Sequence, residues 1–252
     1  MNRLIDRLAN ASPTMRIDPD ACVAPVRETV ERVFENQPVS VTTGTPGQDD
    51  DIVVARDGEV VASSSTDELL RSLLLVNSDV YLTGEQDLEE IDVPDVLKAL
   101  EETPFQLRGY PESDSEKLLL IVISREIERI AYERGEGTLR VGVQYLSRLV
   151  DEPGTYEVYE QLCDTDLDVH VYGVKDTRSP AELDLTVHPG TSEFHRRSWF
   201  VVFDPPSSDE RPAGLCAIER EPNCWEGFWT FRSKSVESIC GRIEDSPAPA
   251  SD

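Results

Sequence analysis

The chain has 252 residues, 38% of them apolar, enough to bury a core in one large domain or two small ones. Fifty acidic residues against 24 basic ones leave a net charge of −26, which repels phosphate backbones and anionic lipid and so excludes nucleic-acid and membrane partners in the absence of a basic patch. No such patch occurs: the densest cluster, His195-Arg196-Arg197, is too short to track a groove and reads as a solvated loop before a strand.

The basic side is nearly all arginine, with lysine only at 98, 117, 175 and 234. So acidic a surface suits concentrated salt, where the Debye length falls to about 3 Å at 1 M and carboxylates stop repelling one another. A halophilic protein is expected. Five cysteines, an odd number without close pairing, point to a reducing cytoplasm. The first residues lack the apolar core of a signal peptide, and no stretch reaches the ~20 apolar residues that span a bilayer.

In chain order, residues 1–24 show little periodicity and read as a flexible arm. Behind Pro25, the helical spacing of Val26, Val30, Val33 and Phe34 predicts a helix ending before Pro38. Val39–Val41 reads as a strand, and residues 44–51 as a polar loop. Ile52–Ala55 and Glu59–Ala62 flank Asp57-Gly58, a hairpin turn that needs positive φ. Thr66 is placed to cap a helix that buries Leu69, Leu70, Leu73 and Leu74. A strand over Asp79–Gly84, a helix opened by Pro94 and a strand over Phe105–Arg108 complete an alternating αβ region, residues 25–113.

Leu118–Ile123 is continuously apolar and Ile123, Ile127 and Ile130 keep helical spacing, so periodicity alone leaves a strand-then-helix and one long helix both open. A strand near Leu139–Val143 follows, then a helix capped by Thr155 with Tyr156, Tyr159 and Leu162 inward. Asp168–Gly173 alternates as a half-buried strand that Gly173 should end or bend, with His170 and Tyr172 on one face. Loops are expected from there to Trp199. Trp199–Phe203 and Leu215–Ile218 are unbroken apolar runs, predicted to be central strands. Val236, Ile239, Cys240 and Ile243 mark a closing helix, and 245–252 a disordered tail. The order gives an α/β fold, a mixed central sheet flanked by helices, or two αβ subdomains packed together.

Tests for chemistry mostly fail. Asp164, Asp166 and Asp168 open like a calcium loop, but Val169 and Lys175 stand where glycine and glutamate are required. They also surround Cys163, where negative charge blunts a thiol. His170, His188 and His195 with Cys216 and Cys224 lack any standard zinc spacing, and no metal site is expected. Gly44-Thr45-Pro46-Gly47 and Gly135-Glu136-Gly137 lack the rest of a phosphate loop. No pattern names a cofactor. What remains is aromatic: Tyr172, Trp199, Trp225, Phe228 and Trp229. The plain expectation is core. The sharper one is a ligand pocket of His170, Tyr172, Trp199, Trp225 and Trp229, if the sheet brings an indole beside the other two.

All three tryptophans lie in Ser198–Asp204 and Trp225–Phe231. A Trp-led apolar strand followed by Glu226-Gly227-Phe228-Trp229-Thr230-Phe231 resembles the end of the DICT sensory domain, and Ser124-Arg125-Glu126-Ile127-Glu128 resembles its helical segment. The resemblance covers about residues 114–244 and implies one helix around Ser124. Leu74–Gly84 and Phe105–Ser113 are similar to the N-terminal extension of stand-alone DICT proteins from salt-loving archaea. Such a likeness implies a non-enzymatic module that binds a small ligand or partner and signals to a separate, unidentified signalling protein. The alternative is an enzyme, hydrolytic in character, using His170, His188 or His195 with a neighbouring carboxylate.

Overall fold

The computed structural model describes residues 5, 13–20, 24–35, 37–44, 51–77, 88, 93–108, 114–207 and 210–245. Among these residues the strands form two mixed sheets, of four and seven strands. The expected α/β class holds, with two sheets in place of one.

The smaller sheet begins inside the segment expected to be a flexible arm. Thr14–Ile17 forms β1, and its Met15 and Ile17 are fully buried. After helix α1 (Ala24–Phe34) come β2 (Ser40–Thr43), β3 (Ile52–Arg56) and β4 (Glu59–Ser64), in the spatial order β2-β1-β3-β4. β1 runs parallel to β2 and antiparallel to β3. A four-residue strand has too few alternations to announce itself, so its burial is a tertiary fact. The β3–β4 hairpin forms as expected, with Asp57 at φ 51° and Gly58 at φ 86°.

Helix α2 (Thr66–Asn77) is capped one residue earlier than expected. Ser65 and Glu68 make a reciprocal capping box, the Glu68 amide donating to the Ser65 hydroxyl at 3.2 Å and the Ser65 amide to the Glu68 carboxylate at 2.8 Å. Thr66 is the first helical residue, and its amide donates to Asp51. Leu69 is buried; the Leu73 and Leu74 side chains, the strand expected at 79–84 and the tail after residue 245 lie outside the described residues.

A short helix α3 (Asp95–Lys98) leads to β5 (Phe105–Arg108) and then α4 (Asp114–Arg134), a single helix. The second sheet adds β6 (Glu136–Tyr145), β7 (Asp166–Val174), β8 (Thr186–Pro189), β9 (Ser198–Asp204), β10 (Ala213–Glu221) and β11 (Cys224–Thr230), in the order β5-β11-β10-β9-β6-β7-β8. β9 and β10 are central, as their unbroken apolar runs imply. β5, from the segment expected to form a separate N-terminal region, is an edge of this sheet, paired antiparallel to β11.

Between the strands lie α5 (Arg148–Asp151), α6 (Pro153–Cys163), α7 (Glu193–Arg197) and, last, α8 (Ser233–Glu244). α6 opens with Pro153 in its first turn and Glu152 at the cap position, so Thr155 sits inside the helix instead of capping it. β7 runs through Gly173 to Val174. The stretch expected as loop holds β8 and α7. One core joins both sheets around α4; the other lies under α8, where Val236, Ile239, Cys240 and Ile243 pack on Phe200, Val202, Cys216 and Phe228. Among the described residues no helix is long and apolar enough to cross a membrane.

Candidate functional site

Cross-strand register decides which aromatic groups can meet. Partners in a ladder share a face, so Tyr172, Gly142, Phe200, Cys216 and Phe228 form one row across β7, β6, β9, β10 and β11. The adjacent row, Val171, Val141, Val201, Leu215 and Trp229, points the other way. Trp225 and Trp229 are buried in the α4 core and Trp199 packs against that same core half-buried. Phe105 tilts against Trp229 at 5.6 Å. The convergence expected of His170 and Tyr172 with Trp199, Trp225 or Trp229 is therefore corrected: the indoles lie on the opposite side of the sheet. One-residue alternation puts them there.

On the α8 side His170 and Tyr172 do share a face, and they meet different partners. β8 sets His188 opposite Tyr172, and the two rings stack 4.4 Å apart at 10°. His170 stacks on His188 at 5.1 Å, with His170 Nδ1 2.8 Å from His188 Nε2. Asp168 Oδ2 is 2.8 Å from His170 Nε2. Tyr172 continues the ring cluster to Phe200 at 5.6 Å and, edge-on, to Phe194 at 6.5 Å. His195, expected on a solvated loop, is a buried residue of α7; its Nδ1 pairs with Ser192 Oγ at 2.8 Å and its ring fills the space over Gly190, where a Cβ would collide with it.

The electrostatics follow from this crowding. Burial, then His170 and Arg140, lowers the pKa of His188, against the opposing pull of Asp168. Burial and His188 likewise lower that of His195. Burial raises Tyr172, so its hydroxyl stays protonated. Asp168 and His170 make the acid–base half of a hydrolytic arrangement, but the second nitrogen of His170 faces His188 and not a nucleophile. Among the described residues no three His, Cys, Asp or Glu side chains are grouped to hold a metal ion. Burial first, then Asp184 and Asp164, pushes the Cys163 thiol up to about 11.

A shallow cleft of about 280 Å³ opens beside α7, lined by Glu193, Phe194, Arg197, Ile218 and Arg220. Its guanidinium groups are engaged, Arg197 with the Arg220 carbonyl at 3.0 Å and Arg220 with Glu226 at 2.7 Å. Phe194 is its link to the ring cluster. Elsewhere, the charged side chains of Ser124–Glu128 pair inside the protein: Arg125 donates to Glu128 at 2.6 Å and to Thr155 at 3.1 Å, and Tyr159 donates to Glu128 at 2.9 Å. Glu126 pairs with Arg129 at 3.1 Å and Lys98 at 3.4 Å. Reasoning from sequence did not find this network, although consecutive charges amid an apolar helix were its signal. In the sequence the three histidines, all within residues 170–195, group only as metal or hydrolytic candidates, and the stacking of His188 on His170 and Tyr172 is not foreseen.

A family model described as a sensory domain in diguanylate cyclases and two-component systems, DICT, matches residues 95–219. The chain carries a DICT sensory domain. It begins at α3, earlier than the resemblance placed it, and an N-terminal extension precedes it. The match ends within β10, so Glu226–Phe231 lies beyond it; β11 nevertheless joins the DICT strand β5 to β10. The histidine cluster lies wholly inside the DICT domain. No curated protein matches the chain. A solved polyphosphate kinase from Porphyromonas gingivalis overlays with a TM-score of 0.34 at 9% identity, over 96% of this chain and 44% of the kinase. This chain thus spans less than half of that protein, and so loose an overlay says nothing of function.

Proposed function

We propose that this chain is a non-enzymatic signal-input module that binds a small ligand or a partner and passes a conformational change to a separate output protein. Its receptive surface is the cluster of His170, Tyr172, His188, Phe194 and His195. One observation carries this reading: residues from β7, β8 and α7 converge on a stack of half-buried rings at the edge of the DICT sheet, beside a strand only four residues long. Stacked rings with polar edges suit a planar or hydrogen-bonding ligand, and a short edge strand is an element that binding can move. The tryptophans serve the core. The acidic surface supports a place in a salt-rich cytoplasm.

Native mass spectrometry of the full chain, purified in molar salt beside His188→Ala and Tyr172→Ala, tests the proposal. A bound mass or a stoichiometric partner retained by the parent and lost by the variants supports it. A clean apo mass in all three, with no partner, overturns it.

A further inference from the structure

We infer that Asp168, His170 and His188 form a proton-operated latch, which accepts one shared proton with its geometry intact and is forced open, releasing β8 from β7, by a second. The inference rests on the sensory reading and names the signal for that same site.

The Asp168 carboxylate accepts the proton of His170 Nε2, which leaves Nδ1 of a neutral His170 as an acceptor. His188 Nε2, 2.8 Å away, must then carry its hydrogen and donate to it. A first added proton enters at the outer nitrogen of His188. Three hydrogens now sit on four nitrogens, the inner one is shared, and the positive charge is balanced by Asp168. A second added proton puts N–H against N–H across 2.8 Å. Two like charges and two facing hydrogens cannot hold that separation, so the rings part.

Every element packed around the pair bears on this balance. On β7 are Asp168, which favours the charge, and Tyr172, stacked on His188. Arg140 of β6 opposes protonation and is itself paired with Glu244 of α8 at 3.0 Å and with Asp204 of β9 at 3.8 Å. Cys240 of α8 lies 3.8 Å from Arg140. On α7, burial and then His188 discourage charge on His195. What the latch holds is small. β8 pairs with His170–Gly173 along four residues, is the edge of its sheet, and is followed by Gly190, clasped between the Gly173 carbonyl at 3.0 Å and the His195 ring. Losing the His170–His188 contact unties β8 from the His170 ring and loosens α7, which bears Phe194 and His195.

Histidine-ring NMR and amide hydrogen exchange of the full chain in constant molar salt, from about pH 8 to about pH 5, test the latch. The expected result is a coupled two-step titration of His170 with His188, and protection of the amides in residues 186–190, corrected for the chemical exchange rate at each pH, that falls roughly tenfold during the second step. His188→Gln keeps a donor and acceptor and should abolish both the coupling and the pH response. Asp168→Asn, at an exposed position, should move the first step to lower pH, so a misfolded His188→Gln still leaves a test. Independent one-step titrations, or unchanged protection at residues 186–190, overturn the inference. Such a flat response with a bound mass retained in native spectrometry overturns the latch alone; the sensory reading falls only with the clean apo result.

Discussion

The Tyr159 hydroxyl on α6 donates to Glu128 on α4 at 2.9 Å, in the protein interior, while the other Glu128 oxygen lies 2.6 Å from Arg125. Burial, then the Glu128 charge, drives the Tyr159 pKa well up, so the phenol remains a donor at any physiological pH. Burial opposes the Arg125 charge, but Glu128 more than offsets it. Tyr159→Phe should therefore cost about 1–2 kcal/mol, one hydrogen bond to a charged acceptor. Glu128→Gln should cost more, about 3–5 kcal/mol, because it leaves a buried guanidinium without its counter-charge. Urea melts of both variants in the same salt check the order; equal costs would mean that Arg125 finds another partner.

Stability should fall as acidity rises. His188 and His195 have pKa values below the ordinary 6.5, so the unfolded chain takes up protons more readily than the folded one. Their neutral forms support the fold fully above about pH 6.5, and that support is lost as pH drops from there through their folded values. Thermal melts at fixed salt should give a lower Tm at pH 5.5 than at pH 7.5, and the difference should shrink in a His188→Gln, His195→Gln double variant.

Gly227 should not tolerate a side chain. A Cβ there would run into the Cys216 carbonyl and come within 2.7 Å of the Phe105 ring and 2.8 Å of the Ala217 Cα, the last on a backbone that cannot yield cheaply. Gly227→Ala should destabilise by about 1–3 kcal/mol through overpacking, with hydrogen-exchange protection lost first over Phe105–Arg108, the edge strand paired to that position. A stability equal to that of the parent would show that β5 shifts without cost.

A net charge of −26 makes the surface repel itself in dilute salt. Raising KCl from about 0.1 M to about 1 M shortens the Debye length from about 10 Å to about 3 Å, so Tm should climb steeply over that range and then level. Buried pairs such as Arg125 with Glu128 are little screened and should not reverse the trend. A Tm independent of KCl would separate the acidic surface from any salt adaptation.

Where local chemistry decided structure, the sequence sufficed. Asp57-Gly58 sets the β3–β4 turn because its backbone needs positive φ, the apolar runs of β9 and β10 place both strands centrally because both faces must be covered, and Val236, Ile239, Cys240 and Ile243 mark the buried side of α8 by their spacing. Alternation also put His170 and Tyr172 on one face. Only tertiary structure could decide which strand lies beside which. Pairing places Val171 and Trp229 in one row and Tyr172 and Phe228 in the next, sending the indoles away from the histidines. It buries β1 of a supposed arm, attaches β5 to β11, and brings His188 to His170 by a parallel pairing reached through an irregular connection. Face follows from a two-residue period within a strand, but register between strands is set by contacts distant in the chain, and no local pattern encodes it.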